Sequence, residues 1–120
     1  RITIIPLGAH EQHVLHLPFE TDSLIATGIV ERVRLKAERL ELKILPAEKV
    51  GYSPEHMTFE GSRTLGWGEA ITRWIALGEQ AIADGSNRLV FMNAHGGNVP
   101  LVQIVCQELR SRHRVLAVAT

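Results

Sequence analysis

Three of the six histidines of this 120-residue chain fall in one stretch of fifteen, GAHEQHVLHLPFETD (8–22), beside two glutamates and an aspartate. Glu11 and His13 stand two apart, so on an extended segment their side chains share a face. Asp22 would return to them through a loop that Pro18 shapes. An imidazole among carboxylates is a hard-to-borderline ligand set, suited to zinc, manganese or iron. The same three residues also read as a surface loop with Asp22 capping a helix.

A second cluster, NAHGGN (93–98), follows an apolar run. His95 then stands just past a buried strand, facing a crevice. Gly96 and Gly97 permit φ > 0 and let a ligand approach the backbone closely. The N–H groups that open the next helix suit an anion or a developing oxyanion. Gly96, Gly97 and Asn98 are therefore candidate cofactor- or ligand-binding positions. A capped turn with a satisfied histidine is one rival reading. A phosphate-cradling turn is another, though no G-x-G-x-x-G or P-loop lysine accompanies it. A third stretch, GYSPEHMTFEGSRT (51–64), supplies Ser53, Glu55 and His56. A Ser53–His56–Asp22 triad is conceivable on residue types, but no G-x-S-x-G elbow frames the serine, so the metal set is preferred.

The elements that must position these groups follow from periodicity. The β-branched run 2–8 reads as a buried strand, and 42–47, 88–93 and 114–119 as three more. Thr21-Asp22-Ser23 is helix-capping chemistry. From Leu24 to about Arg39 the spacing of Ile25, Ile29 and Val33 predicts an amphipathic helix with these as its buried stripe. From Glu69 a second helix carries Ile71, Trp74, Ile75, Gly78 and Ile82 on one face, with Gly85 at C′. Asn98 caps a third, with Pro100 in its first turn and Val102, Val105 and Leu109 buried. The 88–93 run is near-continuously apolar, as expected when both sheet faces are covered. The order β-α-β-loop-α-β-α-β predicts a single α/β domain with a mainly parallel, helix-flanked sheet in three layers. Sites in such sheets form beyond the carboxyl ends of the strands, where all three polar clusters lie.

Composition narrows the function classes. Thirteen basic residues balance thirteen acidic ones, so no basic excess points to nucleic acid. No apolar run approaches a membrane span. The lone Cys106 excludes an internal disulfide and a cysteine-built zinc site, and it suits a reducing, cytoplasmic compartment. Both ends look cut, because the chain opens on Arg1 in a strand-like run and stops in the apolar RVLAVAT.

PLGAHEQHVLHLPFETD, GYSPEHMTFEGS and NAHGGN, in this order, resemble the motifs of the creatininase (creatinine amidohydrolase) family. The resemblance covers nearly the whole chain and corresponds to the N-terminal half of a family domain, so a domain over 1–120 truncated at its C-terminus is expected. It implies a three-layer α/β hydrolase with up to two divalent metals (zinc, manganese or iron), bridged by an aspartate and a water that attacks a cyclic, formamide-type or short-peptide amide. By position, Glu11, His13, Asp22 and His95 match metal ligands, with Asp22 as the bridge. His16 falls where it would orient a ligand, and Ser53 and His56 fall in the loop bordering the site, as further catalytic candidates. A homo-oligomer is implied as well. Creatinine-cleaving members carry a glutamate where this chain has Gly97, which argues against creatinine as substrate. Gly97, Val14 in place of a family glycine, and the early stop motivate the alternative of a catalytically incomplete metal-binding or interaction domain that keeps the fold.

Overall fold

Ile2–Leu7 forms β1, and every residue from Thr3 to Leu7 is buried. The computed structural model describes residues 1–10, 19–52 and 64–120. Within these, β1 is followed by α1 (Thr21–Lys36), β2 (Leu42–Ile44), α2 (Trp67–Ala83), β3 (Arg88–Asn93), a 3₁₀ turn (Gly96–Asn98), α3 (Val99–His113) and β4 (Leu116–Ala119). The four strands form one sheet of order β2-β1-β3-β4, with every pairing parallel. In register, Ile2 faces Leu42 on one side and Arg88 on the other, and Leu7 faces Asn93. The chain leaves β1 towards β2, then jumps back across β1 to β3 and continues to β4. The connections diverge at the β1/β3 boundary, which makes the carboxyl ends of these two strands the expected crevice.

α2 and α3 cover one face of the sheet. The core there is built from Ile5, Leu7, Leu89 and Phe91 of the strands, Trp74 of α2, and Val102, Val105 and Leu109 of α3. A Cβ at Gly78 would press into the Leu109 side chain, so the glycine is what lets the two helices approach. α1 lies on the other face, where Pro6, Val30 and Ile44 line a common small cavity. Three layers and a parallel sheet are thus as the sequence predicts.

Four details differ from the sequence reading. α1 begins at Thr21, so Thr21-Asp22-Ser23 forms its first turn instead of preceding it, and the helix ends at Lys36 instead of near Arg39. Its buried stripe is Asp22, Ser23, Ala26 and Val30. Ile25 and Ile29 are 48% and 45% exposed, and Val33 is half-buried, so the expected stripe is one residue out of register. The strand expected over 42–47 stops at Ile44, although the Leu45 N–H still donates to the Ile4 carbonyl; pairing resumes at the Leu7–Glu48 bridge. β3 is buried mainly on one face, with Leu89 and Phe91 enclosed and Val90 and Met92 half-buried. The remaining elements are close to expectation: Gly85 follows the Asp84 C-cap with φ of 104°, and Pro100 falls in the first turn of α3. Among the described residues no helix is long and apolar enough to cross a membrane.

Candidate metal centre

The chain leaves β1 at Gly8 and must turn at once beneath the start of α1. A Cβ at Gly8 would overlap both the hydroxyl and the backbone of Ser23, so only glycine lets the helix sit this close to the strand end. That approach carries Asp22, in the first turn of α1, over the carboxyl end of β1. The positive end of the helix dipole there favours a negative group. His10 and Phe19 stack with ring centroids 5.3 Å apart, which brings the two ends of the 10–19 segment together.

β3 ends at Asn93, and His95 is extended, with φ of −132° and ψ of 121°. Its backbone is clamped by the Asn93 side chain, whose Oδ1 accepts from the His95 N–H at 3.2 Å and whose Nδ2 donates to the His95 carbonyl at 2.7 Å. The backbone of His95 is therefore held in place. His95 Nδ1 lies 2.9 Å from Asp22 Oδ2, and both side chains are about nine-tenths buried. His95 Nε2 lies 3.1 Å from the Tyr52 carbonyl.

Asn98 ties the three approaching segments together. It is fully buried. Its Oδ1 accepts from the Tyr52 N–H at 2.9 Å, and its Nδ2 donates to the Gly8 carbonyl and to Asn93 Oδ1, each at 3.1 Å. It occupies the N-cap position of α3 but makes no side-chain cap hydrogen bond, because its amide is committed to these contacts. Its own N–H donates to the His95 carbonyl inside the 3₁₀ turn. A Cβ at Gly51 would collide with the Gly8 carbonyl and with Asn98 Oδ1, so this glycine too is set by close packing. Sequence reasoning assigned Asn98 to ligand binding and did not find the roles of Tyr52, Asn93 or Gly51. A backbone carbonyl has no residue-type signature, and an asparagine ahead of a helix reads first as a cap.

The structure thus brings Asp22, His95 and the 96–98 turn into one place. Glu11, His13, His16, Ser53 and His56 lie outside the described residues. Among the described residues, no third histidine, cysteine, aspartate or glutamate joins Asp22 and His95. A wide concavity of about 1230 Å³ lies elsewhere, between segment 47–50 and α2, where an ion pair joins Arg73 to Glu48 across it. That groove is open and holds no clustered ligand set, so the chemistry is assigned to the buried pair and not to the larger space.

Comparison with known proteins places this geometry in a class. The family model described as Creatininase: Creatinine amidohydrolase matches residues 1–120, and the chain belongs to that family. It is similar to the mycofactocin precursor peptide peptidase of Mycobacterium tuberculosis (strain CDC 1551 / Oshkosh), 41% identical over 92% of this chain and 47% of that protein. It is also similar to the creatinine amidohydrolase of Pseudomonas putida, 29% identical over 91% of this chain and 44% of that one. Solved creatininases described as the Mn form and as a Zn-Zn type superpose with TM-scores of 0.82 and 0.80, at 26% and 25% identity. Each covers 99% of this chain, and this chain covers 49% of each. The chain therefore spans about half the length of the relatives it matches.

Proposed function

We propose that this chain carries the metal-binding part of a divalent-metal-dependent hydrolase that cleaves an amide C–N bond in a short peptide. The observation that carries the reading is the buried His95–Asp22 pair at the carboxyl ends of β3 and β1, where the sheet connections diverge. The donor chemistry fits a metal. An imidazole nitrogen and a carboxylate oxygen 2.9 Å apart can share one ion at bond lengths of about 2.0–2.2 Å. The Mn and Zn-Zn forms of the similar creatininases support zinc or manganese. In this proposal Asp22, His95, Glu11 and His13 would hold up to two ions per chain. His16 orients a ligand, and Ser53 and His56 border the substrate.

A bound divalent ion supplies Lewis acidity, which polarises an amide carbonyl and acidifies water. The chain's own residues do the rest. Asp22 contributes negative charge at the sheet end. His95 contributes an imidazole held between Asp22 and the Tyr52 carbonyl. Gly96 and Gly97 leave room for a substrate carbonyl to approach the backbone. A peptide is favoured over creatinine because the peptidase is the more similar relative, at 41% against 29% identity. Gly97 in place of the creatininase glutamate agrees. The proposal extends to a homo-oligomer in a reducing, cytoplasmic compartment, consistent with the single buried Cys106.

The test is hydrolysis by the purified chain, loaded with Zn²⁺ or Mn²⁺, of a short peptide, an N-formyl compound and creatinine. Metal-dependent cleavage of the peptide, lost on chelation, is the expected result. Cleavage of creatinine alone, or turnover unaffected by chelation, contradicts it. Metal uptake without turnover favours the second reading, a catalytically incomplete metal-binding domain that keeps the fold.

A further inference from the structure

The homo-oligomer in the reading above needs a face, and this inference rests on that part of it. Among the described residues, α1 carries an apolar surface that the sheet does not use. Leu24 and Leu35 are 59% and 74% exposed, and Ile25 is about half exposed. Helical spacing puts Leu24, Gly28 and Leu35 in one row, opposite the buried Ala26 and Val30, with Ile25 beside it. Ile29 stands next to the buried face and only rims this row. Apolar side chains gathered in this way expose a patch on the order of a few hundred Å², the scale that marks an interaction site.

Gly28 is an independent sign. It lies in the middle of α1, where glycine weakens a helix relative to alanine. Its φ is not positive, and a Cβ there would meet nothing within 4 Å. No contact among the described residues calls for a glycine. At the centre of an exposed apolar row, however, it lets a second helix come to the near end of the usual axial separation of about 8–10 Å.

Charge chooses the occupant. α1 has Glu20 at its N-cap, whereas Arg32, Arg34 and Lys36 lie in its second half. An antiparallel second copy crossing at Gly28 sets residues equally far before and after Gly28 against each other. Glu20 then faces Lys36 of the second copy, and the symmetry repeats this pair at the other end. Thr21 faces Leu35, and Leu24 lies under the aliphatic stem of Arg32. The helix dipoles oppose as well. Within one chain Glu20 and Lys36 are sixteen residues apart, about 24 Å along the helix, so they pair only between copies. We propose that two copies of this chain associate through α1, antiparallel and crossing at Gly28, with Glu20 and Lys36 paired across the interface.

Sedimentation velocity over a dilution series of the purified, metal-free chain tests this. The expected result is a reversible monomer–dimer equilibrium. Leu35→Glu and Gly28→Gln should each weaken the dimer by at least about tenfold with the circular dichroism spectrum retained. Glutamine is the better helix former, so loss of the dimer in Gly28→Gln cannot come from loss of the helix. Glu20→Lys and Lys36→Glu should each weaken it by about fivefold, and the double variant should return to within about twofold of wild type. A dimer that Leu35→Glu and Gly28→Gln leave intact overturns the face and spares the oligomer. Failure of the double variant to recover overturns the antiparallel pairing. A folded chain that stays monomeric at every concentration overturns both the face and the oligomer, and gives the row to a different partner. None of these results depends on Zn²⁺, so the metal reading stands or falls separately.

Discussion

Asp22 and His95 come from opposite ends of the sequence and meet because each is fixed by its own backbone: Asp22 by the first turn of α1, His95 by the Asn93 clamp. Both were legible as candidate ligands from residue type and motif. What was not legible is the work of the residues around them. Asn98 looks like a helix cap in sequence and serves instead as a buried knot between three segments. Capping and knotting use the same amide, so residue type alone cannot separate them. Cys106 is a contrasting case at this scale. Burial pushes its thiol above the ordinary value, with Arg110 pulling weakly the other way. The thiol stays protonated and enclosed at neutral pH, and reactivity belongs to the thiolate. Native protein should therefore react slowly with a disulfide reagent such as DTNB, and rapidly with one equivalent once unfolded in guanidinium. Equal rates in the two states would show that Cys106 is accessible.

At the scale of elements, the strands and helices were readable because their periods are clear and their ends carry Gly, Pro or Asn. α1 was placed correctly and turned wrongly. Ile25, Ile29 and Val33 suggested one stripe, while the residues buried are Asp22, Ser23, Ala26 and Val30, none of them larger than valine. The reason is local: Gly8 and Ser23 bring the helix so near to β1 that small side chains must fill the contact. The two registers predict opposite mutational outcomes. Val30→Ala removes two buried methyl groups and should cost about 1.5 kcal/mol or more in urea unfolding. Ile29→Ala, at an exposed helical site, should change stability by no more than about 0.5 kcal/mol. The reverse order would restore the stripe read from the sequence.

At the scale of the whole molecule, the sheet order matters most. A β2-β1-β3-β4 parallel sheet puts its divergence point at β1/β3, and Asp22 and His95, which follow these two strands, meet there. Topology is not written in any single motif, yet the strand–helix alternation and the handedness of crossovers leave few other arrangements. The central claim is that this convergence holds a divalent ion. Isothermal titration of the metal-free chain with Zn²⁺, beside Asp22→Ala and His95→Ala, tests it most directly. Binding in the wild type, with thermal stabilisation that grows with free metal and reaches about 2.7 kcal/mol at a hundred times Kd, is the predicted result. Both variants should stay folded and lose at least about tenfold in affinity, the lower range for disturbed metal sites. A folded wild-type chain that gives no heat and no stabilisation, or variants that bind as tightly as it does, would contradict the account.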